Sequence, residues 1–172
     1  MKLETKQQIA ESLRDFRLPR YNEIPNVGLY LEQATKYVGE YLAPLGEYTL
    51  TPSMISNYVK KGLIANPVKK QYGREQIAYL FFIAVAKSVL SLDALTGFIK
   101  LQQQTYTLPK AYDYFAKELE NLLAFTFELK DTMEAVGEDN TDEKRLLYTC
   151  IVAAVQKVYL EKCLEAIAKE ED

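Results

Sequence analysis

Thr51-Pro52-Ser53-Met54-Ile55-Ser56-Asn57-Tyr58-Val59-Lys60-Lys61-Gly62-Leu63-Ile64-Ala65-Asn66-Pro67-Val68-Lys69-Lys70-Gln71-Tyr72 is the stretch from which the rest of the chain is read. It opens with a full set of helix signals. The Thr51 hydroxyl suits an N-cap, accepting from a backbone N–H of the first turn. Pro52 at the first helical position gives up only an N–H that no helix bonds. Gly62 supplies the left-handed residue that ends a helix. Between these signals Met54, Ile55, Tyr58 and Val59 form an apolar face, with Ser53, Ser56, Asn57, Lys60 and Lys61 largely opposite. A helix this short needs tertiary support. From Leu63 the helical period is lost. Asn66-Pro67 marks a turn, and Leu63-Ile64 and Val68–Tyr72 are expected as two short strands around it.

The same stretch is cationic. Leu50–Arg74 carries Lys60, Lys61, Lys69, Lys70 and Arg74 and no acidic residue, in a chain of net charge −3. A local positive stripe on an acidic body suits a polyanion touched at one place. Charge alone fits a run of solvated lysines equally well.

Upstream, Met1–Phe16 shows a loose helical stripe, and Arg17–Pro25, with two prolines, is expected to be extended and packed on the surface. Val27–Leu42 has the i, i+3, i+4, i+7 spacing of an amphipathic helix, ended by Pro44 and Gly46. Downstream, Arg74–Leu90 is apolar on every face, the mark of a buried hub. Ser91 caps a short helix reaching Leu101, and Gln102–Leu108 reads as a polar link. Lys110–Val136 and Asp142–Lys169 read as two long helices around a turn at Gly137–Thr141. Joined by a short loop, they are expected to form an antiparallel hairpin. The chain thus divides into an N-terminal helix and arm (1–28), a central domain (29–101) and a helical hairpin (109–172).

Of 172 residues, 48% are hydrophobic and none is His. A core can be buried, and His-based triads, metal sites and general bases are excluded. The longest nonpolar run, Ile77–Ala86, is half of what a membrane helix needs. Cys150 and Cys163 fall in one predicted helix, too far apart for a bridge. They suit a reducing cytoplasm, with redox sensing as the alternative. Met1–Phe16 has no apolar secretory core, so a cytoplasmic location is expected. No phosphate-binding glycine loop or nucleophile elbow is present, so no catalytic residue, enzyme activity, cofactor or metal is expected. Glu138, Asp139, Asp142 and Glu143 are better read as loop solvation and helix N-terminal charge than as a metal site. The tyrosines and phenylalanines mostly build core; a ligand pocket lined by Tyr106, Tyr112, Tyr114, Phe125 and Phe127 is the alternative.

In order, residues 29–101 read as helix, short helix with a polar outer face, basic two-stranded wing, buried helix and short helix. That is the order of a winged helix-turn-helix. The fold class expected is mainly α. A short helix bearing Ser, Asn and Lys can enter a major groove, and a lysine-bearing loop beside it can grip phosphates. Base-facing residues would be Ser53, Ser56, Asn57 and Lys60. Phosphate contacts would come from Thr51, Lys61, Lys69, Lys70, Gln71, Tyr72 and Arg74, with the Tyr72 ring also anchoring the wing base and a cap or a Glu75 pair as the alternative for Arg74, while Tyr58 packs in the core.

At Tyr58–Ile64, Asn66–Lys70, Gln71-Tyr72, Arg74–Leu80 and Ser91–Leu95 the sequence resembles the MerR regulators. It departs at Gly73, where a Ser cap is usual, at Gln71, where an Arg precedes the Tyr, and in having two long helices after the domain. A closer likeness spans most of the chain. Leu18–Pro25, Leu50–Lys60 and Tyr72–Leu80 are similar to an uncharacterised bacterial family, domain of unknown function number eighteen thirty-six. The resemblances imply a MerR-like fold and a regulatory role. The partner expected is double-stranded DNA, with a homodimer through the C-terminal helices and a small-molecule effector as further partners and no membrane. The alternative is a winged-helix-derived module that binds another protein.

Overall fold

A computed structural model of the protein describes residues 1–171. The hub is helix α4, Arg74–Ala86, in which Ile77, Ala78 and Leu80–Ala86 are all buried. A helix apolar on every side must be covered on every side. The coverage comes from α2 (Leu31–Leu42), α6 (Leu108–Thr126) and α7 (Asp142–Glu171), which all pack on α4. Helix α3 (Pro52–Lys60) rests on α2, α5 (Leu92–Thr105) on α7, and α1 (Leu3–Glu11) on the far end of α7. Through the centre runs a chain of rings, Tyr41, Tyr37, Phe81, Tyr112, Phe115, Phe82 and Phe98, with successive centroids 5.2 to 6.1 Å apart. It ties α2, α4, α5 and α6 together, each well-placed pair contributing about 1 kcal/mol beyond its buried area. Helix α4 ends at Ala86 rather than Leu90, and α5 continues to Thr105 through part of the expected link. Ser91 caps α5 as expected, accepting from the Ala94 N–H.

The Arg17–Pro25 arm is sunk into the fold rather than laid on its surface, leaving Arg17, Asn22 and Glu23 exposed, and it is broken by a 3-10 turn at Tyr21–Glu23. Leu18 and Ile24 are fully buried and Tyr21 nearly so. An extended segment can be buried only if its backbone groups find partners, and α6 supplies them. Glu120 accepts from the Leu18 N–H at 2.9 Å and Asp113 from the Tyr21 N–H at 2.7 Å. Arg20 forks onto Glu120 with two 2.7 Å bonds, and the Tyr112 hydroxyl donates to the Pro19 carbonyl.

The strand pairing also differs from expectation. Leu63 and Ile64 are buried core residues, not a strand. Strand β2 (Gln71–Tyr72) pairs antiparallel with β1 (Leu29–Tyr30), Leu29 opposite Tyr72 and Tyr30 opposite Gln71. Helix α2 therefore begins at Leu31, not Val27.

The expected antiparallel hairpin is corrected as well. Helix α6 stops at Thr126, ten residues early. Glu128 takes φ +58°, the Leu129 N–H reaches back to the Ala124 carbonyl, and Phe127 turns inward against Tyr159. The following segment then runs back along α6. Asn121, buried in α6, pins it: its amide donates to the Glu134 carbonyl and accepts from the Glu134 N–H and the Lys130 ammonium. By Asp139 and Thr141 the chain is back at Tyr106, just ahead of α6. Helix α7 starts there and runs in the same direction as α6. Lys144 sits over the Tyr114 ring and Tyr159 against Phe127, so positions roughly thirty apart meet at both ends.

Replacing Asn121 by Ala should destabilise the fold by about 1–3 kcal/mol, because the Glu134 backbone groups lose their partner. Limited proteolysis should then cut within 127–141. Glu118, also buried beside Asn121, carries a carboxyl raised chiefly by burial, opposed by the Asn121 bond and by Lys144 and Lys130. A carboxyl raised in the folded state costs stability as pH climbs from its unfolded value through its folded one. Glu118→Gln should therefore raise the urea midpoint at pH 8 and leave it nearly unchanged at pH 4.

Candidate nucleic-acid interface

Helix α3 is held at both ends as its sequence dictates. The Thr51 hydroxyl accepts from the Met54 N–H at 3.2 Å, and Pro52 occupies the first turn. At the other end Gly62 takes φ +74°, the Gly62 N–H bonds Val59 and the Leu63 N–H bonds Tyr58. This double closure satisfies carbonyls that the helix leaves open. Ile55 and Tyr58 face the core, while Ser53, Ser56, Asn57, Lys60 and Lys61 are exposed. Met54, expected on the apolar face, is 40% exposed. Its sulfur accepts from the Lys87 ammonium at 3.6 Å, and the same ammonium donates to the Thr49 carbonyl at 2.9 Å. Lys87, pulled below its usual range by burial, thus ties the end of α4 to the turn before α3. Sequence reasoning missed it; the one signal is a lysine directly after an all-apolar run. The Ala43–Thr51 connection from α2 to α3 is longer than the three or four residues usual in a helix-turn-helix.

Beyond Gly62 the chain forms a two-residue hairpin. Val68 and Gln71 exchange both backbone bonds, at 3.0 and 2.9 Å. The two residues between them, Lys69 and Lys70, take φ +51° and +64°. Two consecutive left-handed residues match the strand twist but are normally Asn-Gly, since a Cβ there costs about 1–2 kcal/mol each. Both lysines are exposed at the tip. Among the described residues neither they nor Lys60 and Lys61 pair with a carboxylate.

The remaining expected phosphate contacts are placed differently. Tyr72 is buried at 4% exposure, and burial raises its hydroxyl; its ring anchors the hairpin base as expected, but the side chain does not reach outward. Gln71 is half-buried against Gly28, where an added Cβ would lie 2.6 Å from the Gln71 Cβ. Arg74 turns inward. It donates to the Ile24 carbonyl at 2.8 Å and the Asn22 carbonyl at 3.3 Å and lies 5.7 Å over the Tyr21 ring. It clamps the arm, so the free outward charge is four lysines rather than five cations. Gln76, which sequence reasoning passed over, caps Gly73 through its oxygen and holds the Ala65 and Asn66 carbonyls through its nitrogen. Its signal is the capping-box spacing from Gly73.

Of the aromatics considered for a pocket, Tyr106 and Tyr114 together line a cavity of about 320 Å³. Tyr112 is core, Phe125 is exposed and Phe127 packs on Tyr159. Asp139, from the acidic cluster, accepts from Tyr106 and Lys144, and no cluster of three metal-ligating side chains occurs among the described residues. Cys150 is buried, which pushes its thiol up to about 11, and Cys163 is half-buried; both are free.

A family model described as "Domain of unknown function (DUF1836)" matches residues 19–115. The chain belongs to that family. No curated protein and no solved structure matches the chain. The DUF1836 span includes the buried arm from Pro19, α2, α3, the lysine hairpin, α4, α5 and the first turns of α6. Every residue of the exposed polar and basic surface lies inside it, whereas α7 and the returning segment lie outside.

Replacing Lys69-Lys70 by Asn-Gly should relieve the left-handed strain. Thermal or urea unfolding should show a gain of about 1–3 kcal/mol.

Proposed function

We propose that the protein is a DNA-binding transcriptional regulator with a MerR-like winged helix-turn-helix. In this reading α3 enters the major groove and the Val68–Gln71 hairpin is the wing that grips phosphates. The observation that carries the reading is a pair of exposed surfaces that follow each other in the chain, with Val59 of the helix and Val68 of the hairpin lining one groove. One is a capped helix with Ser53, Ser56, Asn57 and Lys60 turned outward; the other is a hairpin with Lys69 and Lys70 at its tip. Lys61 and Thr51 stand at the two ends of the helix, within reach of flanking phosphates. Amide and hydroxyl groups and the Lys60 ammonium supply base discrimination, while Lys61, Lys69 and Lys70 on phosphates supply affinity that carries no sequence information. The protein would act in the cytoplasm as a homodimer through its C-terminal helices. Exposed Leu160, Leu164 and Ile167, spaced along one stripe of α7, support that pairing.

A second reading, a module of the same shape that docks on another protein, is favoured by one feature. Tyr30 and Val68, at 53% and 73% exposure, both neighbour Gln71 in the strand pairing and make an apolar spot beside the lysines.

In-vitro selection from random duplexes followed by anisotropy titration separates the two. Affinity for the selected site should fall with salt at a log–log slope of about −3 per protomer, from Lys61, Lys69 and Lys70. The Asn-Gly hairpin variant should flatten that slope by about 2. Asn57→Ala should leave the slope alone and relax discrimination at one base pair by about 1–3 kcal/mol. Salt-independent binding, or no retention of duplex at low salt, would transfer the assignment to the protein-docking module.

A further inference from the structure

Between α5, the start of α6, the returning segment and the first turns of α7 lies the cavity of about 320 Å³, at the small end of the range that holds organic ligands. Phe98 and Leu101 from α5 and Leu147 from α7 give it apolar walls, and Val136 from the returning segment closes one side. Tyr106 and Tyr114 add two aromatic rings.

The polar groups around it are not equivalent. Two of the three acids, Asp139 and Asp113, are already engaged, and Glu143 is without a cationic partner among the described residues. Asp139 accepts from the Tyr106 hydroxyl and from Lys144, and Asp113 accepts the Tyr21 N–H at 2.7 Å. Glu143 sits in the first turn of α7, where the helix dipole favours a negative charge. The bases are not all engaged. Lys144 is bound to Asp139, but Lys110 and Lys117, two turns apart on α6, have no carboxylate partner among the described residues. Lys110 does hold its ammonium 5.0 Å from the Tyr106 ring. Between them Tyr114 is half-buried, with no hydrogen-bond partner for its hydroxyl among the described residues. An apolar slot with aromatic walls and two ammonium groups at its rim that no carboxylate holds selects a flat apolar body carrying one anionic group.

We infer that this cavity is a binding site for a small aromatic or branched organic anion, its ring between Tyr106 and Tyr114 and its charge at Lys110 and Lys117. The site does not depend on the DNA reading. Its wall from α5 is in the DUF1836 span, but Val136 and Leu147 are outside it, so the pocket exists only where the returning segment and α7 complete it.

The test uses two probes with the same ring system: 8-anilinonaphthalene-1-sulfonate, which carries an anion, and N-phenyl-1-naphthylamine, which does not. Fluorescence titration of the full chain should give saturable one-to-one binding of the sulfonate, at least ten-fold tighter than the neutral amine. Lys110→Gln with Lys117→Gln, both at exposed positions, should bring the sulfonate down to the affinity of the amine and leave the amine unchanged. Ala111→Phe, which fills the slot, should abolish both. The proposal is overturned if the two probes bind equally to the native chain, if the double glutamine variant keeps the preference, or if no saturable binding occurs. Circular dichroism melting of the glutamine variant, expected to match the native chain, confirms that its result reports on the site.

Discussion

The all-round burial of α4 is the constraint on which the rest of the structure depends. From Ile77 to Ala86 its side chains turn to every quadrant, and only Tyr79 is less than buried. No single partner can cover such a helix. Helices from both sides of it in sequence, α2, α6 and α7, must be brought together, and their loops take whatever path that requires. The buried arm follows from the same demand. Leu18, Tyr21 and Ile24 fill the gap at the α4–α6 seam, and the carboxylates of α6 receive the backbone donors that burial would strand.

How far the sequence discloses this depends on whether a signal is local. The caps of α3 and α5 are local: Thr51, Pro52, Gly62 and Ser91 each act on residues within one turn, and each does what its chemistry dictates. The hub was legible for a similar reason, since ten apolar residues in a row leave no polar face. Long-range choices were not legible. Nothing in Gln71-Tyr72 says that its partner is Leu29-Tyr30 rather than Leu63-Ile64, because both candidates are short and apolar. The direction of α7 was misread because it depends on where α6 stops. Glu128–Val136 is made of adequate helix formers, and it leaves the helix because Asn121, seven residues before Glu128, offers the Glu134 backbone a bidentate partner. A buried amide on one helix thereby decides the connection to the next.

Among the candidate site residues, the distinction that sequence could not make was between cations that reach out and cations that hold the fold. Lys60, Lys61, Lys69 and Lys70 are outward; Arg74 and Lys87 are inward, bonded to the carbonyls of Ile24, Asn22 and Thr49. All six carry the same formal charge. The difference lies in geometry: the guanidinium of Arg74 can serve two carbonyls and a ring at once, which suits it to fastening an arm. Lysines on flexible stems at a hairpin tip stay hydrated and available.

That availability is purchased with backbone strain, and the strain explains why the hairpin is so heavily braced. Two left-handed lysines cost about 2–4 kcal/mol together, more than an isolated two-stranded hairpin can sustain. The brace comes from outside the turn. Tyr72 is buried in the common core, β2 pairs with β1 ahead of α2, and Gln76 ties the Ala65 and Asn66 carbonyls to the start of α4. Each tie ends on an element that α4 itself holds in place. The conformation of the two lysines is therefore set by the hydrophobic core, and a loosened core would let the hairpin relax before it disturbed the self-capped helix α3. The surface is consequently graded: α3 presents its polar face through local bonds, whereas the lysine tip keeps its shape only while the hub remains packed.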